Sequence, residues 1–151
     1  MKFATLLTTT TTLLTSALAA PLEPRVVAKS FSVSEFSAGC LPHGTLANIG
    51  FKVATNEQPF STTCSFSGQP LGTSSLPDVP FTACADPSIA WSFRRVTADP
   101  FGLAPFYELT LVTAEQSLAA AKFFPGSEFP LINAGSSYYQ QYNGTTLFVV
   151  Q

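Results

Sequence analysis

Along this chain apolar residues recur at every second position in short runs, and Pro and Gly cut the runs apart. A period of two is the spacing of a strand with one buried face. In IAWSFRR, Ile89, Trp91 and Phe93 share a face and leave Ala90, Ser92 and Arg94 on the other. FYELTLV aligns Tyr107, Leu109 and Leu111, and LANIGFKVAT aligns Ile49, Phe51 and Val53. FSTTCSF aligns Phe60, Thr62, Cys64 and Phe66, while FSVSEF opens with Phe31 and Val33. SLAAAKFF has helix-favouring residues but is too short to stand as a helix without packing, so it is read as a strand. Residues 68–80, 98–105 and 125–135 are rich in Pro and Gly and read as loops. SSYYQQY and TTLFVVQ flank Asn143-Gly144, a pair that supplies the positive φ of a type I′ turn, and so predict a two-residue hairpin. About eight short strands of this kind imply an all-β, antiparallel sandwich or barrel in a single domain.

The domain is expected to span residues 30–151. Residues 1–19 read as a secretory signal peptide: Lys2 is the positive end, a Leu/Thr/Ala stretch follows, and Ala17 and Ala19 form an A-x-A site. The cut falls after Ala19, with Ala20 as the alternative. Five consecutive threonines make the stretch too polar for a membrane span, and no later run is apolar for the ~20 residues a helical span needs. The reading is therefore a soluble, secreted, extracellular protein with no membrane role. Residues 20–29 form an N-terminal tail, read either as a loose lead-in or as a pro-segment ending at Arg25.

Charge and composition narrow the function classes. With Lys2 removed, 6 basic side chains face 9 acidic ones, a net of about −3. A nucleic-acid footprint needs clustered basic charge, so nucleic acid is not an expected partner. Charged residues make up 11% of the chain against a typical ~25%, and an abundance of Phe, 14 in the whole chain, suits a compact β-structure rather than a disordered chain.

The order of these pieces resembles a family of fungal secreted proteins typified by the major allergen of Alternaria, the Alt a 1-like domain. The residues that carry the resemblance are Ser34-Glu35-Phe36, a spacer of 13, then Gly50-Phe51. FSTTCSF, a second cysteine at Cys84, IAWSFRR and FYELTLV follow in the family's order, and APLEPR lies just after the leader. The resemblance covers essentially the whole mature chain. It implies an antiparallel β-barrel, secretion by a fungus and an allergen or effector role that touches plant immunity. It further implies, as partner, a plant thaumatin-like defence protein or a small aromatic ligand, and no catalytic residues. Two departures stand out. KFFPGSEFPLINAG lacks the typifying member's second intrachain disulfide, and RVVAKS lacks the cysteine that links its subunits. The oligomeric state is thereby left open.

Three cysteines allow three single pairings, and spacing alone does not choose among them. The resemblance places the disulfide at Cys64 and Cys84, in keeping with an oxidising compartment. Cys40 is then a free thiol, buried as a small hydrophobe, with a Cys40–Cys40 dimer as the alternative. Three residues beyond it stands the only histidine, His43. A nucleophile–base pair needs a third group to orient it, and zinc takes three or four ligands. Pro42 and Gly44 around His43 mark a turn instead. No G-x-S-x-G elbow is present. A glycosidase needs two facing carboxylates, and Glu35, Glu57, Asp78, Asp86 and Asp99 stand at strand ends or in loops. The reading is no catalytic site, no metal and no cofactor. Binding is assigned to Tyr138 and Tyr142, which parity puts on one face, and to Arg95, set against core packing for the tyrosines and a plain strand end for the arginine. Asn143-Gly144-Thr145 is an N-glycosylation sequon, set against a turn with no glycan. The leading function is a secreted, non-enzymatic binding protein. The alternative is a small secreted hydrolase acting on polysaccharide or protein, and a structural cell-surface protein comes third, since no anchor signal follows the domain.

Overall fold

The computed structural model describes residues 30–56, 61–72, 74–97 and 106–151. Residues 1–19, read as a leader, residues 20–29 with Arg25, read as a tail, Glu57, Phe60, and residues 98–105 with Asp99, read as a loop, lie outside the described residues. Ten strands follow one another: β1 Phe31–Cys40, β2 Ala47–Thr55, β3 Thr62–Gly68, β4 Val79–Ala83, β5 Ile89–Val96, β6 Phe106–Thr113, β7 Ala119–Pro125, β8 Leu131–Asn133, β9 Tyr138–Gln140 and β10 Phe148–Val150. Short 3₁₀ turns stand at Pro42–Gly44 and Gly126–Glu128, and no α-helix occurs among the described residues. No helix there is long and apolar enough to cross a membrane.

The fold is all-β and antiparallel, as the alternation predicts. One sheet has the order β10-β1-β2-β3, a second β4-β5-β6-β7, and β8-β9 forms a separate ribbon. Ile49, Phe51, Val53, Ile89, Trp91, Phe93, Tyr107, Leu109 and Leu111 are all buried, on the faces their spacing assigns. The two large sheets share one core, in which the Phe51 and Trp91 rings meet edge to face at 5.1 Å across the sheets. Hydrogen bonding does not close these sheets into a barrel among the described residues, so the sandwich half of the expectation is the one the structure supports.

The first strand holds what the alternation missed. Between β1 and β2 the register steps from Ser34↔Lys52 to Ser37↔Gly50, which inserts one extra residue into β1. Glu35 sits at the insertion with φ 56°, in the left-handed region that costs an L-residue roughly 1–2 kcal/mol. The bulge resets the pleat. Phe31 and Val33 point inward, and after it Phe36, Ala38 and Cys40 do so. Without the extra residue the inward set would be Glu35, Ser37 and Gly39. Phe36 instead packs on Phe51, Phe124, Tyr142 and Phe148 at centroid distances of 4.8–5.9 Å.

Each seam between the large sheets has its own fastening. At the β3/β4 side, Cys64 and Cys84 form the disulfide, and the Ala85 N–H donates to the Thr63 carbonyl at 2.8 Å. At the β7/β10 side, Lys122 points inward and lays its ammonium 5.6 Å from the centroids of both Phe124 and Phe148. An inward charge on an edge strand also discourages pairing with another chain.

Three local expectations are corrected. The Asn143-Gly144 hairpin does not form: β9 pairs with β8, and β10 pairs with β1. Residues 141–146 run beside β1, with the Tyr142 N–H donating to Ala38 O at 2.7 Å and the Phe36 N–H to Thr146 O at 3.1 Å. Neither Asn143 nor Gly144 has positive φ. Gly144 is there for space, since a Cβ would come within 2.5 Å of both the Glu128 carboxylate and the Tyr142 hydroxyl. The loop read at 125–135 contains β8, whose three residues are all exposed and carry no alternation. The loop read at 68–80 ends in β4, which buries only Val79 and has its own register shift between Val79 and Thr82.

Gln140 ties the ribbon to the sandwich. Its buried Oε1 accepts from the Leu76 N–H and the Tyr107 hydroxyl, each at 2.9 Å, and its N–H donates to Ser74 O at 2.9 Å. Gln140→Leu strands both buried donors and should cost about 3 kcal/mol by urea denaturation. Cys84→Ser, which opens a loop of 20 residues, should cost a similar ~3 kcal/mol. A Gln140→Leu midpoint equal to wild type would show that the ribbon is not anchored by this side chain.

Candidate functional site

Two clefts flank the 3₁₀ turn at Pro42–Gly44. The larger, about 540 Å³, lies between the second half of β1 and residues 139–146. Its rim carries Ser37, Asn48, Gln141, Asn143 and Thr146, all exposed, and Leu41 and Pro42 stand at one end. None of the described residues lining it is charged. Gly39 stands in its lining beside residues 140 and 141, and an added Cβ there would make only ordinary contact with the Gln140 carbonyl, at 3.4 Å. The smaller cleft, about 410 Å³, is lined by His43, Ser74, Ser136, Ser137 and Tyr138.

The candidate residues are placed as follows. Cys64 and Cys84 are bonded to each other. Cys40 is free and buried at the end of β1, where it lines the larger cleft. Burial pushes its thiol up, against a smaller opposing effect from the Gln140 backbone hydrogen bond, which makes it a poor nucleophile. His43 is exposed with φ 67°, and its N–H donates to Ser137 Oγ at 3.3 Å. It stands in a turn, as Pro42 and Gly44 predict. Asn143 is exposed on the rim of the larger cleft.

The shared face read for Tyr138 and Tyr142 is corrected, and of the two arginines Arg95 is the inward one. Tyr138 is 56% exposed, but Tyr142 is buried against Phe36, Phe124 and Phe129. The shared face assumed one continuous strand from 138 to 142, and β9 stops at Gln140. The Tyr142 hydroxyl donates to Thr145 O at 2.8 Å. Burial, then the neighbouring negative charge of Glu128, pushes its pKa up to about 12. Arg95 continues the parity of Trp91 and Phe93 and is half-buried, with its N–H donating to Asp78 Oδ1 at 2.7 Å. Its Nε is buried and has no hydrogen-bond partner. Arg94 is the outward arginine, and its guanidinium is engaged by Glu108.

Sequence reasoning passed over Asn48, Gln140 and Gln141. Carboxamides have no spacing signature, and their meeting depends on residues 140–146 lying along β1. Among the described residues no cluster of three or more His, Cys, Asp and Glu side chains is placed to hold a metal. No protein-family model matches the chain, and no curated protein and no solved structure matches it.

Two outcomes follow from the buried groups. Tyr142 has a folded pKa raised from 10 to about 12. Its contribution to stability is full below pH 10 and is lost as pH rises from there through 12, because the unfolded phenol releases its proton first. Alkaline titration followed by tyrosinate absorbance should show unfolding in that window, shifted upward in Tyr142→Phe. A window unchanged by the substitution would assign the effect to another group. Separately, a thiol reagent without reductant should label Cys40 alone, slowly in the native protein and fully in denaturant. Labelling of Cys64 or Cys84 would contradict the disulfide.

Proposed function

We propose that the chain is a secreted, non-enzymatic fungal protein of the Alternaria-allergen type that binds a plant defence protein, with the thaumatin-like class as the first candidate. The observation that carries the reading is the β8–β9 ribbon. Leu131, at 58% exposure, and Tyr138, at 56%, stand on one face of it, and Ile132, at 36%, on the other. Leu131 and Tyr138 on one face of the ribbon are read as the centre of a contact surface, and tyrosine suits such a place because its ring packs while its hydroxyl stays wet. Gln140 anchors the ribbon through hydrogen bonds with Leu76 and Tyr107, and an anchored surface lowers the entropy cost of docking. Serines 74, 136 and 137 and His43 form a polar border beside Tyr138. Secretion is supported by the leader-like first 19 residues and by the Cys64–Cys84 bond, which suits an oxidising compartment.

The test is direct binding of the mature protein to a purified plant thaumatin-like protein by calorimetry. Tyr138→Ala and Leu131→Ser should each raise Kd about tenfold, roughly 1.4 kcal/mol, with unchanged circular dichroism. Binding that ignores both substitutions would remove the ribbon from the interface. The hydrolase alternative has its own readout. Turnover of a polysaccharide or protein substrate that His43→Ala abolishes in a folded protein would replace the binding reading.

A further inference from the structure

We propose that Asn143 carries an N-linked glycan whose first sugar lies in the cleft between β1 and residues 141–146. This rests on export through a eukaryotic secretory route, the one part it shares with the preceding reading.

The modified residue is delivered on a fixed backbone. The Asn143 N–H donates to Glu128 O at 3.0 Å, and the Tyr142 N–H before it to Ala38 O at 2.7 Å. On the other side Thr145 O is held by the Tyr142 hydroxyl. Asn143 therefore does not stand on a hairpin tip, from which a glycan would sweep through solvent. It stands on the wall of a cleft of about 540 Å³.

The wall chemistry suits a sugar. Ser37, Asn48 and Gln141 offer a hydroxyl and two carboxamides, which both donate and accept hydrogen bonds. Ser37 Oγ donates to Gly50 O at 3.3 Å, which leaves its lone pairs to accept. Leu41 and Pro42 supply an apolar wall for the C–H face of a pyranose ring. With the sugar tethered at the rim, its local concentration reaches the millimolar range, so weak contacts are enough to hold it.

The modification balances as a group transfer. The carboxamide nitrogen of Asn143 forms a bond to the anomeric carbon of an oligosaccharide carried on a polyprenyl diphosphate. The sugar–phosphate C–O bond breaks, the diphosphate leaves with its electron pair, and the nitrogen gives up one proton. Thr145 completes the sequon that marks Asn143 for the transfer. Because Cys40 lines the same cleft, a seated sugar also closes off its thiol.

The full chain, secreted from yeast behind a host leader, is measured by intact mass before and after a peptide N-glycosidase. A glycan-sized loss of mass is expected in wild type and in Thr145→Ser, and none in Thr145→Ala or Asn143→Gln. Hydrogen exchange over residues 37–41 and the rate of Cys40 alkylation then locate the sugar. Both are compared in the intact glycoprotein, in protein trimmed to its first sugar by an endoglycosidase, and in the two sequon-less variants. Seating in the cleft predicts that the trimmed form stays as protected as the intact form, and that the variants exchange and alkylate at least fivefold faster. Absence of any mass loss overturns the modification. A glycan present with equal protection in all forms, or protection lost on trimming to one sugar, overturns its placement. None of these measurements reads partner binding, and the host leader removes dependence on the chain's own first residues, so either proposal can fail alone.

Discussion

One extra residue in β1 governs the interior of this protein. A strand of ten residues with strict alternation would turn Glu35, Ser37 and Gly39 toward the core once Phe31 and Val33 had set the phase. The bulge at Glu35 reverses that phase midway, so that one strand contributes two inward sets, Phe31 with Val33 and Phe36 with Ala38 and Cys40. The gain is the burial of a phenylalanine, about 1.5–3 kcal/mol, against the left-handed strain at Glu35. Phe36 then touches rings from β2, β7, β10 and the segment before β10. The same reversal sends Ser37 and Gly39 to the outer surface, where they become part of the larger cleft. Core and cleft are two sides of one irregularity.

The rest of the architecture manages what two open sheets leave exposed. A sandwich has edges, and unpaired edges invite other strands. Here one seam is closed covalently by Cys64–Cys84 together with the Ala85–Thr63 hydrogen bond. The other is closed by aromatic packing under the Lys122 ammonium. The end of the sandwich is covered by Phe129, whose ring meets Phe93, Tyr107, Phe124 and Tyr142. Gln140 enters beside it and satisfies donors from β6 and from the β3–β4 connection. A buried carboxamide with partners on three elements is costly to disturb, and it ties the small ribbon to the sandwich. The ribbon borders both clefts, with Tyr138 at the smaller one and Tyr139 at the larger.

Much of the candidate site was hidden from the sequence for physical reasons. Asn-Gly reads as a hairpin because that pair tolerates positive φ, yet the chain used Gly144 for closeness to Glu128 and Tyr142. Both uses need a missing Cβ, and only the fold distinguishes them. Tyr138 and Tyr142 share parity, but parity holds only within one strand, and the strand ends between them. The alternation that leaves Arg94 outside also turns Arg95 inward with Phe93, but the binding role given to Arg95 has no such signature. Cys40 and His43 read as a free thiol beside a turn, and both readings agree with where the residues stand.

The sequence by itself determined the class of fold and the inner faces of the regular strands. Those depend on a local period of two and on residues such as Ile89, Trp91 and Phe93 that have no stable place except inside. Tertiary structure decided the phase reversal in β1, the partners of β9 and β10, and the clefts. A bulge has no composition of its own when Glu35 takes the place a glycine would mark. Pairing between β1 and β10 joins residues more than a hundred positions apart, and neither strand carries a local sign of its partner. Such contacts are chosen by which arrangement buries Phe36, Phe124, Phe148 and Tyr142 together. That is a property of the whole core and not of any stretch of chain.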